Sequence, residues 1–421
     1  MCIDPLLTKS AIVDQIERSI ERLEAWIENN GWAGYDPYDI KGTKVFLYLT
    51  RKASLSDSFL KYPYRVLTSM EKHFPSSMRK LFSVKKQINA KAMGLFAKSY
   101  LSLLEITGKV RFKHKADLCL EWLQQNQAHG YSGSCWGYPF DWQSMVFFPK
   151  GTPSSVVSSI VGDAYWSAYR LFGQKTYLKT CESICEFFVN DLNIDQIDDE
   201  RICFSYTPID DFHVHNANLF VAELLTKVGT EINRKDFCEL GSRAANYSLS
   251  EQNPDGSFYY WGKIQNYYNP NHIDHYHSGF EIRMLHNLWK ITNSTRIKEA
   301  FDRYALYYLE NLYTSRDETV LPKMSPFSLY PVDIHACAES LLCLSTLAEY
   351  FETARLYLPK VYLWLIANLQ TDQGCFRYKI LKKRFGKYPI NISYIRWGQA
   401  WMMVALAACF RFYNQHKLCE N

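Results

Sequence analysis

The feature that most constrains this chain is a recurring alternation between two kinds of helical segment. One series is amphipathic, with apolar residues at a 3.6-residue period and a charged opposite face: roughly 10–28, 112–127, 175–192, 234–252, 296–313 and 354–369. A second series runs between them and is apolar on nearly every side, rich in Ala, Ser and Gly: roughly 89–106, 153–172, 215–228, 277–292, 333–350 and 394–412. A helix with one polar face belongs at the surface, and one that is apolar all round belongs inside. Six such pairs predict an all-α fold, an (α/α)6 toroid of six helical hairpins whose inner helices line a central funnel. On this reading residues 1–421 form one domain with a basic insertion at about 51–87.

The connectors are unequal. Links from inner to outer helices are short, as in LFGQKTY and KITNSTR, with Gly or Asn where the helix should end. Links from outer to inner helices are long and hold most of the unusual residues. ENNGWAGYDPYD, NQAHGYSGSCWGYPFDWQ, QNPDGSFYYWG and QTDQGCFRY each read as a helix end, a Gly turn and a short β-like aromatic stretch. All precede inner-helix N-termini, so they should crowd one rim of the ring.

Aromatic residues make up 16% of the chain, including 30 Tyr and 11 Trp, which suits a large core or a stacking surface for sugar rings. The net charge of +5 is too mild to imply a nucleic-acid partner. Twelve cysteines without a CxxC pair read as small buried hydrophobes of a reducing compartment. The N-terminus carries acids among its apolar residues and lacks a signal-peptide pattern, and no 18-residue apolar run could span a bilayer. A cytoplasmic location is expected. The segment 51–87 holds nine Lys or Arg against two acids, interleaved with Leu, Phe and Tyr. It is expected to be an extended insertion solvated on its basic face, and it is also a candidate surface for peripheral contact with anionic lipid.

The rim loops supply the chemistry. Trp136, Tyr138, Trp142 and Trp397 offer flat faces for sugar rings, and Gln143, Asn216 and Gln399 suit hydroxyl groups. Lys150 and Arg396 are cations able to meet a carboxylate. Asp141, Asp211, His215 and His277 are the expected acid–base groups, since paired carboxylates and imidazoles exchange protons near neutral pH. Asp36, Asp39, His213, Asp274, Glu281 and His335 complete the expected substrate-binding wall. His277 and Glu281 are four residues apart on one helix and should point together into the funnel. Asp274 and Asp333 also read as N-caps. The histidine pairs lack thiolate neighbours and HExxH is missing, so neither metal nor cofactor is expected.

GYDPYD, CWGYPFDWQ followed by FPKGTP, VHNANL and RWGQAW resemble the polysaccharide biosynthesis proteins of bacterial surface-polysaccharide clusters. Those are grouped with six-hairpin glycosidase-like and terpenoid-cyclase-like toroids, and the likeness covers about 30–412. It implies the toroid and a glycan context, without a reaction. RWGQAW is also similar to the closing segment of unsaturated glucuronyl hydrolases. Gln252 to Phe258 and Gln370 to Phe376 fit the Q-x3-G-x-W/F element of triterpene cyclases, but the DxDD acid is missing. The element therefore reads as architecture. The leading expectation is an acid–base enzyme of glycoside hydrolase, lyase or epimerase type, acting on a saccharide or lipid-linked glycan. The alternative is a non-catalytic glycan-binding or scaffold subunit. A prenyl-lipid-handling toroid comes third, because the rim is dense in Asp and His.

Overall fold

The computed structural model describes residues 9–53, 59–263, 271–316 and 318–417. Residues 1–8, part of the stretch behind the location reading, and 54–58 of the basic segment lie outside the described residues. In chain order the helices are α1 (Lys9–Asn30), α2 (Lys44–Ala53), α3 (Lys61–His73), α4 (Pro75–Leu81), α5 (Ala90–Thr107), α6 (Val110–Gln125), α7 (Ser155–Phe172), α8 (Lys175–Asp191), α9 (His215–Ile232), α10 (Lys235–Ser250), α11 (His275–Thr292), α12 (Thr295–Asn311), α13 (Ile334–Leu347), α14 (Glu352–Leu369) and α15 (Trp401–Lys417). Every segment of the two alternating series is helical, with ends displaced by a few residues. Helices α5, α7, α9, α11, α13 and α15 pack each on the next, and α15 packs back on α5. The inner layer thus closes into a ring, and the fold is the six-hairpin α/α toroid.

Sequence chemistry sets the helix ends. Asn89, Ser154, Asp274 and Asp333, each the last residue of a long loop, accept hydrogen bonds from the first free N–H groups of α5, α7, α11 and α13. Gly108, Gly173, Asn233 and Asn293 end α5, α7, α9 and α11 in the left-handed conformation. The long loops carry short antiparallel pairs, such as Trp142–Gln143 with Phe147–Phe148 and Ile194–Gln196 with Ile202–Phe204. Among the described residues no helix is long and apolar enough to cross a membrane.

The Q-x3-G loops act as staples. Gln370 Nε2 donates to the carbonyl of Ser19 on α1 (3.0 Å), and its Oε1 accepts from the Ser19 hydroxyl (2.9 Å). Gly374 in that loop has φ +96°, and a Cβ there would stand 2.1 Å from the Arg22 carbonyl. The loop can approach α1 only with glycine. The second copy presses on α12 in the same way, with Gln252 Nε2 donating to the Ala300 carbonyl (2.9 Å).

The basic segment departs from a uniformly solvated face at one residue. It is helical, forming α2, α3 and α4, and Arg79 on α4 is fully buried. Its guanidinium meets Asp39 (2.9 Å), Glu71 (3.3 Å) and the Asp36 carbonyl (2.6 Å). Charge counting along the sequence cannot separate this inward cation from its exposed neighbours.

Halfway along the inner helices a belt of charges pairs in two groups, α5 with α7 and α9, and α11 with α13. Lys98 (α5) and Lys227 (α9) both meet Asp163 (α7), Lys227 also meets Glu223 (2.8 Å), and Arg283 (α11) forms a two-pronged pair with Glu339 (α13). Removing one member of a buried pair strands its partner, at a cost of about 3 kcal/mol. Lys227→Met should therefore lower the urea-denaturation free energy by about that amount; a loss near zero would show that the belt does not hold the ring.

Candidate active site

The rim at the inner-helix N-termini brings together residues from the long loops. Asp274 is its hub. One carboxylate oxygen caps α11 by accepting from the His277 N–H (2.9 Å). The other accepts from His277 Nδ1 (2.7 Å) and from His272 Nε2 (2.9 Å). Burial alone would raise the Asp274 pKa, but the two imidazoles outweigh it and hold the carboxyl well below the usual range. An ionised carboxylate only accepts, so His277 carries its proton on Nδ1. Its Nε2 has no hydrogen-bond partner among the described residues.

The His277 ring lies 4.4 Å from Tyr260 and 4.3 Å from Tyr276. From Tyr276 the wall continues through Trp397 (5.5 Å), Tyr38 (5.7 Å from Trp397), Trp142 (6.2 Å from Tyr38) and Tyr138. These side chains are half-buried except Trp397, which is buried. Burial raises the pKa of Tyr38, Tyr138, Tyr260 and Tyr276, so their hydroxyls stay protonated. Arg396 enters this wall from a widened turn at 395–400, where the Gln399 N–H bonds back to the Tyr394 carbonyl five residues earlier. Its guanidinium pairs with Asp36 (Nη2 to Oδ1, 2.7 Å) and lies 5.1 Å from the Tyr138 ring centre.

Beneath the wall sits His335. It is buried between Tyr276 and Trp401, and neither ring nitrogen has a hydrogen-bond partner. Burial, with the charges of Lys91 and Arg396, keeps it neutral. Lys91, also buried, lies over the rings of Phe280 and Trp401. Burial and the Arg396 charge pull its pKa down to about 7.

The structure gathers Asp36, Tyr138, Trp142, Asp274, His277, His335, Arg396 and Trp397 from the expected set. Asp39 stays nearby, bound to Arg79, and burial raises its pKa to about 6. Asn216 keeps a buried, unpaired carbonyl oxygen on the same helix face as Phe220, which packs on Phe280 of the funnel.

Others point elsewhere. His215 turns to α10, bonding Ser248 (3.2 Å) and Glu251 (3.0 Å), because its ring stacks on Tyr247 in the inner–outer interface. His213 bonds Tyr247 and Asp195. Asp211 is exposed beside Asp195 and His213, and its neighbour Asp210 is consumed in capping its own turn. Glu281 accepts from the Tyr304 hydroxyl of α12 (2.6 Å) and so leaves His277 alone in the funnel. Asp141 accepts from the Lys150 backbone (2.7 Å) and closes its hairpin, with Lys150 exposed at the tip. Gln143 accepts from Arg51 (3.3 Å) at the edge of the mouth. Trp136 is a core residue donating to the Leu123 carbonyl (2.9 Å). Gln399 is spent on both backbone groups of Phe376.

Sequence reasoning placed His272, Tyr276 and Trp401 in the rim motifs without a role, and did not single out Tyr38, Tyr260 or Lys91. Lys91 left a signal, a lone cation in the first turn of the apolar run AKAMGLFA. Among the described residues, His272, Asp274 and His277 form a group whose donor atoms lie within 4.8 Å of one another and could hold a divalent ion. The same atoms make the hydrogen bonds that fix the His277 tautomer.

Residues 129–306 match the sequence profile of the D-glucuronyl C5-epimerase C-terminus. No curated protein matches the sequence. Among solved structures the chain resembles cellobiose 2-epimerase from Bacillus thermoamylovorans B4167, with 10% identity, TM-score 0.65, and coverage of 96% of this chain and 100% of that one. It is similar to a D-mannose isomerase at 13% identity and TM-score 0.63, covering 99% and 100% of the two chains. It also resembles the unsaturated glucuronyl hydrolase of Streptococcus agalactiae at 13% identity and TM-score 0.61, covering 97% and 94%. Identities this low speak for the shared toroid alone.

The hydrogen bond to Asp274 raises the His272 pKa above its ordinary value. That contact therefore stabilises the fold below about pH 6.5 and fades as the pH rises through the native His272 value. Histidine NMR should find His272 titrating high in the native protein and falling in Asp274→Asn, which keeps the cap; an unmoved His272 would refute the hub.

Proposed function

We propose that the chain is an acid–base enzyme of the epimerase type, inverting a carbon beside the carboxylate of a uronate-containing glycan in surface-polysaccharide assembly. The observation that carries the reading is the Asp274–His277 pair, which presents an unpartnered imidazole nitrogen to a wall of protonated tyrosines beside Arg396. The matched profile supports it, since 129–306 includes Tyr138, Trp142, Tyr260, His272, Asp274 and His277. The surface-polysaccharide half rests on the motif resemblance.

The chemistry follows from these groups. His277 Nε2 takes the proton at C5, and the C–H electron pair moves into the neighbouring carboxylate. Arg396 and Lys91 supply positive charge where that negative charge grows. The Tyr38 hydroxyl, held protonated by burial, returns a proton to the opposite face of the ring. The imidazolium and the tyrosinate then exchange one proton with solvent, which restores the site. Trp142 and Trp397 pack against the sugar faces, and Asp274 holds the imidazole in one tautomer throughout.

Incubating a heparosan-type or other uronate polysaccharide in D2O should place deuterium at C5. His277→Gln should lower the exchange rate at least 100-fold with KM changed only a few-fold. Liberated reducing ends without exchange would instead make the protein a hydrolase. Glycan binding with neither outcome would favour the scaffold reading.

The Lys91 value of about 7 adds a pH limb, because its charge is lost above that pH. The exchange rate should fall as the pH rises past 7, and Lys91→Met should be slow but flat there. A wild-type rate constant from pH 6 to 9 would remove Lys91 from the mechanism.

A further inference from the structure

We propose that α2, α3 and α4 seat the toroid on an anionic membrane surface, with the funnel mouth turned toward glycan carried on lipid. The membrane half stands on the surface itself, and the substrate half rests on the glycan reading above.

Helix α3 has no fully buried residue. Phe59, Tyr62, Val66, Met70 and Phe74 are 80%, 67%, 58%, 40% and 63% exposed; within α3 the four-residue spacing of Tyr62, Val66 and Met70 puts them on one stripe, with Phe59 and Phe74 just beyond its two ends. The adjoining α2 adds Val45 and Tyr48, 46% and 56% exposed. Monomeric proteins rarely leave a contiguous apolar patch of this kind to water.

The charge around the stripe selects the occupant. Residues 44–86 hold ten Lys or Arg and two acids. Of the acids, Glu71 is turned to Arg79 (3.3 Å), and Asp57 lies outside the described residues. Arg65 and Lys72 on α3 are exposed, as are Lys44, Lys80 and Lys85 of the same segment. An apolar stripe flanked by cations matches the boundary between anionic headgroups and acyl chains, where both kinds of residue gain.

The surface is tied to the funnel mouth. Helix α2 packs on the turn Asp39–Gly42, and that turn packs on the Trp142–Gln143 strand. Arg51 reaches Gln143 (3.3 Å), and Arg79 holds the loop of Asp36 and Asp39. A bilayer under α3 would therefore lie beside the aromatic wall, within reach of the first sugars of a lipid-linked chain.

The full-length protein should float with phosphatidylcholine vesicles containing 30% phosphatidylglycerol and stay behind with phosphatidylcholine alone. Binding should drop at least tenfold in Arg65→Glu/Lys72→Glu, in Tyr62→Ser/Val66→Ser, and in 0.5 M salt. These four positions lie outside the site, so deuterium exchange into a soluble glycan should be unchanged in both variants. Absence of flotation by the wild type at low salt would overturn the proposal. So would a concentration-dependent dimer, seen by light scattering, that the stripe variant abolishes, because the stripe would then belong to a second copy. Flotation without exchange activity would leave the membrane surface standing and remove the epimerase reading.

Discussion

A ring of hairpins has two loose ends, and everything at its centre depends on their meeting. Here the first outer helix meets the last hairpin through Gln370 and Ser19, 351 positions apart. One layer higher, Asp36 meets Arg396, 360 positions apart, in a buried two-pronged pair. The second contact does more than close the ring. A buried guanidinium needs a carboxylate, and that carboxylate comes from the opposite end of the sequence. The funnel's fixed cation therefore exists only in the closed toroid. Below it Lys98, Asp163, Glu223, Lys227, Arg283 and Glu339 tie neighbouring inner helices to one another. A cavity of about 540 Å³ opens at the other end of the bore, near Lys98, Arg283 and Arg411.

The toroid was legible because its two helix classes differ in a property that survives averaging. Helix α13 is buried almost along its length, whereas α12 turns a charged face to water, and hydropathy reads that difference directly. The rim was legible for the same reason, since long loops ahead of buried helices can gather at one end only. Individual directions were not. His277 and Glu281 share spacing but part company, because the α11 cap draws His277 toward Asp274 while Tyr304 claims Glu281. His215, one residue into α9, faces the outer layer and not the funnel. Spacing fixes the angle between two side chains on a helix, but their heading depends on how that helix is rotated in the ring.

The same limit hid the tyrosines. Thirty tyrosines spread over the chain give no sign of which hydroxyls converge. Tyr38 precedes the turn Asp39–Gly42, Tyr260 lies in the loop between α10 and α11, and Tyr276 stands in the first turn of α11, so the three meet only in the folded ring. Arg79 was hidden in the opposite sense: a dense run of cations looked uniformly solvated, yet one of them anchors the run to the rim.

The polarity of the fold bears on the anionic substrate proposed above. Six inner helices run parallel, so their N-termini, with free N–H groups and the positive ends of their dipoles, all face the mouth. Such a field favours carboxylates, and Asp274 and Asp333 occupy it as caps. Burial keeps His335 neutral, helped by the charges of Lys91 and Arg396, and burial with the Arg396 charge lowers the Lys91 pKa to about 7. The mouth sets this field beside Arg396, whose charge Asp36 already pairs, and beside Lys91, whose pKa burial lowers. A sugar carboxylate entering it would restore the Lys91 charge on binding, coupling substrate capture to the cation that the proposed reaction needs.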